Sequence, residues 1–317
     1  MSARDPGFVA DLARTVTGQV KPDVKLSRFS TYRIGGAATV FLPASPEDAA
    51  VGVRHARRAG VAVFPLGLGS NVLLPDDGLD ALVLRVGKGL DAVRSDGERW
   101  WLGAGLPAPL AARKTAGQGW AGLHVMVGVP GTVGGGVFMN AGCHGAQWAD
   151  VTERVTVVDG SGESRVIPAK DIPFTYRRSG LDGALVLEVE VRLKPGSRDE
   201  LDREVERLFA WRQQGTPFNQ PCCGSVFKNP AAPTPPGWDR PWTAGSLLEA
   251  AGQKGTRVGN AEISPMHANY FVNTGDATTG DVRTLIGRAR QAVRERFGVT
   301  LETEVKIIGP LGEYLDV

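Results

Sequence analysis

The first half of the chain alternates between short apolar runs and helical repeats, a pattern typical of a mixed fold of strands and helices. Ser45 and Pro46 begin a predicted helix as its N-cap and first residue, and Gly60 ends it. Residues 107–117 predict a second helix. The apolar runs predict strands at Thr39–Pro43, Val61–Pro65, Ala81–Val86 and Trp100–Gly103.

The second half has longer periodic segments. A turn at Asp159–Glu163 predicts a hairpin between Val151–Val158 and Ser164–Ile167, and Leu185–Lys194 alternates apolar and charged residues as a strand does. Pro195-Gly196-Ser197 is the preferred domain boundary. The remaining predicted elements are helices at Arg198–Gln214 and Thr279–Phe297, a loop at Pro230–Pro241 and a last strand at Val299–Ile308.

Two glycine-rich segments interrupt this pattern. The longer one, Val127–Gly142, has seven glycine or proline residues among its sixteen and no charged residue. Glycine lets backbone N–H groups approach a ligand closely, and successive N–H groups bind anions such as a pyrophosphate. The segment therefore favours a phosphate-bearing ligand over a surface turn. The shorter segment is Leu66–Asn71.

Composition narrows the class of protein. The 317 residues contain 42% hydrophobic and 22% charged residues with a net charge of +2, which indicates a globular protein without a nucleic-acid surface. No apolar run approaches the ~20 residues of a membrane span, and charges interrupt residues 1–16, so neither membrane insertion nor a secretory signal is expected. Three cysteines with no metal or redox spacing favour the cytoplasm.

Three further segments carry candidate chemistry. Arg177 and Arg178 would point to opposite sides of an extended backbone, although the pair taken alone favours two surface arginines. Ser225 follows Cys222-Cys223-Gly224 in a predicted turn that is no serine-hydrolase motif, and the two cysteines are interpreted as packing residues. Glu302 and Glu304 lie on the charged face of the last predicted strand. The four histidines show no metal spacing, and no metal is expected.

Taken in order, these motifs resemble the UDP-N-acetylenolpyruvoylglucosamine reductase (MurB) family. The resemblance covers about Leu26 to Ile308. It is carried by Ser30-Thr31-Tyr32-Arg33-Ile34-Gly35-Gly36, the Leu66–Leu73 loop, Met139-Asn140-Ala141-Gly142, Tyr176-Arg177-x-Ser179, Gly224-Ser225-x-Phe227-Lys228-Asn229-Pro230, Ala244-Gly245-x-Leu247-Leu248-Glu249, His267-Ala268-Asn269 and Leu301-Glu302-x-Glu304-Val305.

The resemblance implies an α+β protein with a two-part FAD-binding fold of the vanillyl-alcohol-oxidase (PCMH) type and a C-terminal α/β substrate domain. The expected parts are residues 25–87 and 88–195 for FAD, 196–298 for substrate, and 299–317 as a strand and tail carrying Glu304. The last strand is expected to return to the FAD-binding part. Non-covalent FAD is expected, with His144 as the one residue that could overturn this.

The implied reaction is the reduction of UDP-N-acetylglucosamine enolpyruvate to UDP-N-acetylmuramate in cell-wall peptidoglycan synthesis, with NADPH as hydride donor. This is the activity of a UDP-N-acetylmuramate dehydrogenase. By resemblance, Ser225 protonates the substrate carbanion, while Arg177 and a protonated Glu304 hold the adjacent carboxylate. The alternatives are another FAD oxidase or dehydrogenase of the same fold, or a non-catalytic nucleotide-sugar sensor. A monomer is expected.

The resemblance also implies the contact residues. Substrate contacts are expected from Tyr176, Lys228, Asn229, His267 and Asn269. Cofactor contacts are expected from Gly67, Gly69, Ser70, Asn71, Gly128, Pro130, Gly131, Thr132, Gly134, Gly135, Asn140 and Gly142. The link between Ser179 and Leu185 is short, which places the chain in the subgroup that lacks an insertion in the substrate domain. Cys222-Cys223 departs from the smaller or more polar residues usual before the motif glycine.

Overall fold

The computed structural model describes residues 1–231, 234 and 237–316. The α-helices are α1 (Pro6–Thr15), α2 (Pro46–Arg58), α3 (Ala108–Ala116), α4 (Val133–Phe138), α5 (Arg198–Gly215), α6 (Ala244–Ala250) and α7 (Thr279–Phe297). The strands are β1 (Gln19–Lys25), β2 (Ala37–Leu42), β3 (Val63–Leu66), β4 (Val72–Leu73), β5 (Leu82–Arg85), β6 (Val93–Asp96), β7 (Arg99–Gly103), β8 (Trp120–Ala121), β9 (Gly142–Cys143), β10 (Ala146–Gln147), β11 (Thr152–Val158), β12 (Ser164–Pro168), β13 (Leu185–Arg192), β14 (Lys194–Pro195), β15 (Cys222–Ser225), β16 (Arg257–Val258), β17 (Ala261–Ile263), β18 (Tyr270–Asn273), β19 (Lys306–Ile308) and β20 (Tyr314–Leu315).

The chain divides into two compact units, each assembled from separate stretches of sequence. Unit 1 contains Met1–Val24, Ala38–Leu68 and Leu79–Arg212, and unit 2 contains Lys25–Ala37, Gly69–Gly78 and the chain from Gln213 onward. The division groups residues by contact, so the four functional parts predicted from the sequence stay a prediction.

Unit 1 contains two main sheets. The first has the order β1-β2-β5-β3, in which β2, β5 and β3 run parallel, and α2 connects β2 to β3. The Ser45 hydroxyl accepts a hydrogen bond from the Asp48 N–H at 3.2 Å, which confirms the predicted helix start. The second sheet is antiparallel, with the order β12-β11-β13-β7-β6. The predicted hairpin is its β11–β12 pair.

The central strand of the antiparallel sheet, β13, shows the predicted alternation. Leu187, Val189 and Val191 are buried in the core of unit 1, whereas Glu188 and Glu190 are half-buried and Arg192 is exposed. An apolar face every second residue is what a strand needs to cover one side of a core.

Unit 2 is built on an antiparallel sheet with the order β15-β18-β17-β16 and a smaller sheet with the order β20-β19-β4, in which β4 and β19 run parallel. Helix α7 begins and ends as predicted. Thr278 and Asp281 form a reciprocal capping box, and Gly298 ends the helix at a φ of 68°. The helix buries one stripe: Val282, Leu285, Ile286, Ala289 and Val293.

Two local predictions are wrong. Within the predicted strand Val299–Ile308, only Lys306–Ile308 is a strand, and the segment before it pairs with residues 226–228 through an isolated bridge between Phe227 and Thr303. The alternation predicted there still holds, since Leu301, Val305 and Ile307 are buried. Cys222–Ser225 is a strand, not a turn. The loop predicted at Pro230–Pro241 lies partly outside the described residues.

Candidate active site

The longer glycine-rich segment contains a short helix, α4. Thr132 caps α4, its hydroxyl accepting a hydrogen bond from the Gly135 N–H at 3.2 Å, and Gly131 precedes it at a φ of 133°. A Cβ on Gly134 would lie 2.8 Å from the Ala104 Cβ. Gly134 is therefore required by packing, whereas Gly135 is exposed.

The second glycine segment lies against the first within unit 1. A Cβ on Gly67 would lie 2.8 Å from the Thr132 hydroxyl oxygen, so no side chain fits between the two backbones there. The surrounding run is uncharged and rich in backbone N–H groups. An uncharged, glycine-rich backbone of this kind can bind a pyrophosphate, which is the anionic part of FAD.

Asn140 fixes the end of the glycine run. It is fully buried at a φ of 42°, and its amide nitrogen donates to the Thr175 carbonyl at 2.9 Å and to the Gln147 side chain at 3.0 Å. Its amide oxygen accepts from the Ala149 N–H at 3.0 Å. Because both donors bond inside unit 1, the structure gives the Asn140 side chain a positioning role.

The backbone separates the two adjacent arginines, although it is not extended as predicted. Arg177 has a φ of 59° in a tight turn closed by Thr175 and Arg178, whose backbones bond at 2.8 and 3.2 Å. The Arg177 guanidinium donates to the Gly142 carbonyl at 2.9 Å and lies 4.7 Å from the centre of the Tyr176 ring. Arg178 is exposed and pairs with Asp182. Only Arg177 is held against the glycine run.

In unit 2, the loop Gly69-Ser70-Asn71 is tied to the C-terminal segment. Gly69 has a φ of 65° and its carbonyl accepts from the Thr31 N–H at 3.1 Å. The Asn71 side chain donates to the Glu304 carbonyl at 3.2 Å, and the Asn71 carbonyl accepts from the Lys306 N–H at 3.0 Å. These hydrogen bonds fix the position of the loop relative to the Glu304 backbone.

Ser225 ends a bulged strand. It pairs with Tyr270, Cys222 pairs with Val272, and the register shifts between them at Gly224, which has a φ of 72°. A bulge re-aims the side chain that follows it. The Ser225 side chain is half-buried, and its hydroxyl makes no hydrogen bond within residues 1–231, 234 and 237–316.

Glu304 lies beside the residue that follows Ser225. The N–H groups of Glu304 and Val305 donate to the Val226 carbonyl at 2.8 and 3.3 Å, and the Lys228 N–H donates to the Glu302 carbonyl at 2.9 Å. The segments 226–228 and 302–305 therefore run side by side. This pairing brings Ser225 and Glu304, far apart in sequence, to one edge of unit 2.

Several predicted substrate contacts hold the backbone. Asn269 accepts from the Phe227 N–H at 2.9 Å and donates to the Phe227 carbonyl at 2.8 Å, and Asn229 accepts from the Ala244 N–H at 3.1 Å. His267 Nδ1 accepts from the Asn269 N–H at 3.1 Å. Lys228 Nζ lies 3.3 Å from a Glu302 carboxylate oxygen. Asn269 in particular positions the strand of Ser225.

Two buried groups lie near this edge, and sequence reasoning missed that they are close together. The Tyr32 hydroxyl is fully buried and has no hydrogen-bond partner among the described residues, and burial, followed by the two neighbouring cysteines, raises its pKa well above the usual value. The Cys223 thiol is also buried. The motif around Tyr32 was recognised, but the sequence contains no signal for its proximity to residues 222 and 223, because that contact is made by folding.

No group of three or more metal-ligating side chains occurs in the described part of the chain. None of the described helices is both long and apolar enough to cross a membrane. All three cysteines are thiols.

Comparison with known proteins identifies the family. The family model described as UDP-N-acetylenolpyruvoylglucosamine reductase, C-terminal domain, matches residues 216–308, and the model described as FAD binding domain matches residues 37–167. The FAD-binding fold that the resemblance predicted is therefore present, and most of the matched residues lie in unit 1.

Individual proteins agree. UDP-N-acetylenolpyruvoylglucosamine reductase from Rubrobacter xylanophilus is 41% identical over 91% of this chain and 95% of that protein. The enzyme of the same name from Halalkalibacterium halodurans is 36% identical over 95% and 98%. The crystal structure of MurB from Thermus caldophilus matches with a TM-score of 0.76 and 33% identity, covering 92% of this chain and 99% of that one. The chain belongs to the UDP-N-acetylenolpyruvoylglucosamine reductase (MurB) family.

Proposed function

We propose that the protein catalyses the NADPH-dependent, FAD-mediated reduction of the enolpyruvyl group of UDP-N-acetylglucosamine enolpyruvate to UDP-N-acetylmuramate, in peptidoglycan synthesis. The relatives' shared name supports this over nearly the whole chain. The structural observation that carries it is the Ser225 hydroxyl, half-buried on a bulged strand and unbonded within the described chain. Such a hydroxyl can meet a reacting carbon.

Bound FAD would supply the hydride chemistry between NADPH and the methylene carbon of the substrate. The fit rests on the uncharged glycine run and on the close approach of Gly67 to Thr132, where a Cβ would meet the Thr132 hydroxyl. We assign FAD contacts to both glycine segments, from Gly67 to Asn71 and from Gly128 to Gly142. Among these residues, Asn140 acts by positioning its neighbours.

Ser225 supplies the proton that completes the reaction. A hydride on the methylene carbon leaves an electron pair on the neighbouring carbon, which takes the Ser225 Oγ proton to form a C–H bond. The serine oxygen then regains a proton from solvent. A serine hydroxyl is a weak acid, but a carbanion next to a carboxylate is a strong base, so the transfer is downhill.

Arg177 and Glu304 act on the substrate carboxylate. The bond from the Arg177 guanidinium to the Gly142 carbonyl fixes the orientation of its planar group, which favours bidentate contact with a carboxylate. Glu304 donates a hydrogen bond from its protonated carboxyl, which avoids repulsion between two anions. The hydrogen bond from the Glu304 N–H to the Val226 carbonyl fixes the backbone position from which that side chain extends.

The other residues of the motifs are assigned to substrate contact or to support of the backbone. Tyr176, Lys228 and His267 are proposed to contact the substrate, whereas Asn229 and Asn269 are proposed to act chiefly by holding the backbone. We further propose that the protein acts in the cytoplasm as a monomer, since one chain supplies every residue assigned a role. Light scattering of the purified protein tests the oligomeric state.

The testing experiment measures NADPH oxidation by the flavin-loaded protein with and without UDP-N-acetylglucosamine enolpyruvate, in the absence and in the presence of oxygen. Oxidation that requires this substrate is expected. Substrate-independent oxidation that requires oxygen would instead identify an oxidase. Binding of the nucleotide sugar without turnover, after FAD has been added back, would identify a sensor.

A further inference from the structure

The Cys223 thiol lies at the junction between the strand of Ser225 and the loop Gly69–Val72, both within unit 2. Its sulfur donates a hydrogen bond to the Val72 carbonyl at 3.0 Å and lies 3.9 Å from the Gly69 carbonyl. These two carbonyls belong to the first and last residues of the loop. One side chain therefore contacts both ends of the segment that contains Ser70 and Asn71.

The position is fully enclosed. Cys223 is 1% exposed, and burial, followed by the nearby Cys222, raises the pKa of its thiol well above the usual value, so the group stays protonated and acts as a donor. The residue after it, Gly224, would place a Cβ 4.0 Å from the Ser70 carbonyl oxygen. Strand β15 thus runs directly over the loop at residues 223 and 224.

We propose that Cys223 is a positioning residue that holds the Gly69–Val72 loop in register with Ser225. Ser225 lies two residues further along the same strand, and Asn71 bonds to the Glu304 carbonyl on the other side of the loop. Loss of the thiol donor would weaken the attachment of the Gly69–Val72 loop to the middle of strand β15. The inference rests on the proposed function, in which this loop contacts FAD and Ser225 donates a proton.

Its neighbour Cys222 provides a matched control. Cys222 is half-buried on the same strand, and its backbone pairs with Val272 of β18. Successive side chains of a strand point to opposite faces, so the Cys222 side chain leaves the strand on the face opposite to that of Cys223. Cys222→Ala and Cys223→Ala each remove one sulfur atom, at neighbouring positions of the strand.

The experiment compares Cys223→Ala, Cys223→Ser and Cys222→Ala with the unchanged protein. Two quantities are measured: the FAD dissociation constant of the apoprotein by flavin fluorescence, and the rate at which substrate reoxidises the reduced flavin. For Cys223→Ala we expect FAD affinity and reoxidation each to fall about fivefold, the factor of one ordinary net hydrogen bond. Flavin reduction by NADPH is expected to change less than reoxidation.

Cys223→Ser is expected to restore both quantities, because its hydroxyl donates from the same position, and Cys222→Ala is expected to match the unchanged protein. Unaltered values for Cys223→Ala would overturn the proposal, as would a serine variant as impaired as the alanine variant, since packing volume would then be the cause. Should Cys223→Ala fail to fold, Cys223→Val fills the volume without a donor. FAD affinity can still be compared among the variants if the unchanged protein shows no substrate-dependent reoxidation. Failure of the proposed function and failure of the Cys223 proposal are therefore distinguishable.

Discussion

Arg177 and Arg178 are adjacent in sequence and differ in almost every structural respect. The left-handed backbone at Arg177 turns its side chain toward the Gly142 carbonyl, whereas 70% of the Arg178 side chain is exposed beside Asp182. A sequence pattern assigns both the same chemistry. The choice between them depends on a backbone conformation that non-glycine residues rarely adopt.

This pair gives the first prediction. Arg177→Ala should lower kcat/KM for the enolpyruvyl substrate by roughly 100-fold, because a charged contact to the carboxylate is lost. Arg178→Ala should stay within about twofold, since exposed ion pairs contribute little. Steady-state kinetics measures both, and equal losses for the two variants would contradict the assignment.

Ser225 gives the second prediction. In Ser225→Ala, flavin reduction by NADPH should be unchanged, while reoxidation by substrate should slow roughly 10²- to 10⁴-fold, the usual contribution of a general acid. Stopped-flow absorbance of the flavin separates the two half-reactions. Ser164→Ala, at an exposed position of β12, is the control. If both half-reactions of Ser225→Ala fail, the role of Ser225 is misassigned.

The asparagines show that residue type alone does not determine the hydrogen-bond partner of a side chain. Asn140 and Asn269 lie in recognised motifs, and sequence reasoning assigned both to ligands. In the structure their amides bond to backbone groups of loops that are distant in sequence. An amide serves a ligand or a loop equally well by its chemistry, so only the folded surroundings show which partner it has.

At the scale of elements, helix α5 acts electrostatically on the loops beside it. Partial burial lowers the pKa of His124, an effect that Glu204 of this helix opposes. Partial burial also lowers the pKa of His144, and Arg207 and Arg212 of the same helix add to the effect. The edge of the Trp211 ring contacts His144 at 4.9 Å between centroids. Both histidines are therefore favoured in the neutral form.

The third prediction concerns stability. Because both histidines bind protons less readily in the folded state, the unfolded chain binds more protons between the lowered pKa values and about 6.5. The free energy of unfolding should therefore rise with pH through that window and lose this dependence above it. Denaturant unfolding at pH 5 and 7.5 measures it. The double variant His124→Gln, His144→Asn should reduce the difference, and an unchanged difference would contradict the assignment.

Short elements were predicted less well than long ones. Helix α7 has caps at both ends and five buried residues at helical spacing, so the sequence determined it fully. Strand β19 has three residues and its partner is Val72–Leu73, more than two hundred positions earlier. A strand paired through so few residues has too little local pattern to define its ends.

At the scale of the whole molecule, unit 2 is discontinuous. Residues 25–37 and 69–78 contribute Tyr32 and Leu73 to its core, and the Asn273 side chain donates to the Tyr32 carbonyl at 2.9 Å. The Thr279 hydroxyl likewise donates to the Leu74 carbonyl at 2.6 Å. Early segments of the chain thus complete a core that is made mostly by later ones.

The fourth prediction follows. The fragment 213–317 expressed alone should not fold cooperatively, since β19 would lose its parallel partner β4 and the core would lose Tyr32, Ile34 and Leu73. Poor amide dispersion in NMR spectra and a broad thermal transition are expected, with the full chain as the control. A well-dispersed fragment with a sharp transition would show that the early segments are dispensable.

The sequence by itself determined the family, the FAD-binding fold, the long helices and the periodic strands, because these depend on local spacing and on motifs read in order. The tertiary structure decided which arginine is held, which asparagines bond to backbone, that Gly134 is required by packing, and that Cys223 contacts the Gly69–Val72 loop. Each of these depends on contacts between residues distant in sequence. Hydrophobic period and residue type contain no information about those contacts, because they form only when the chain folds.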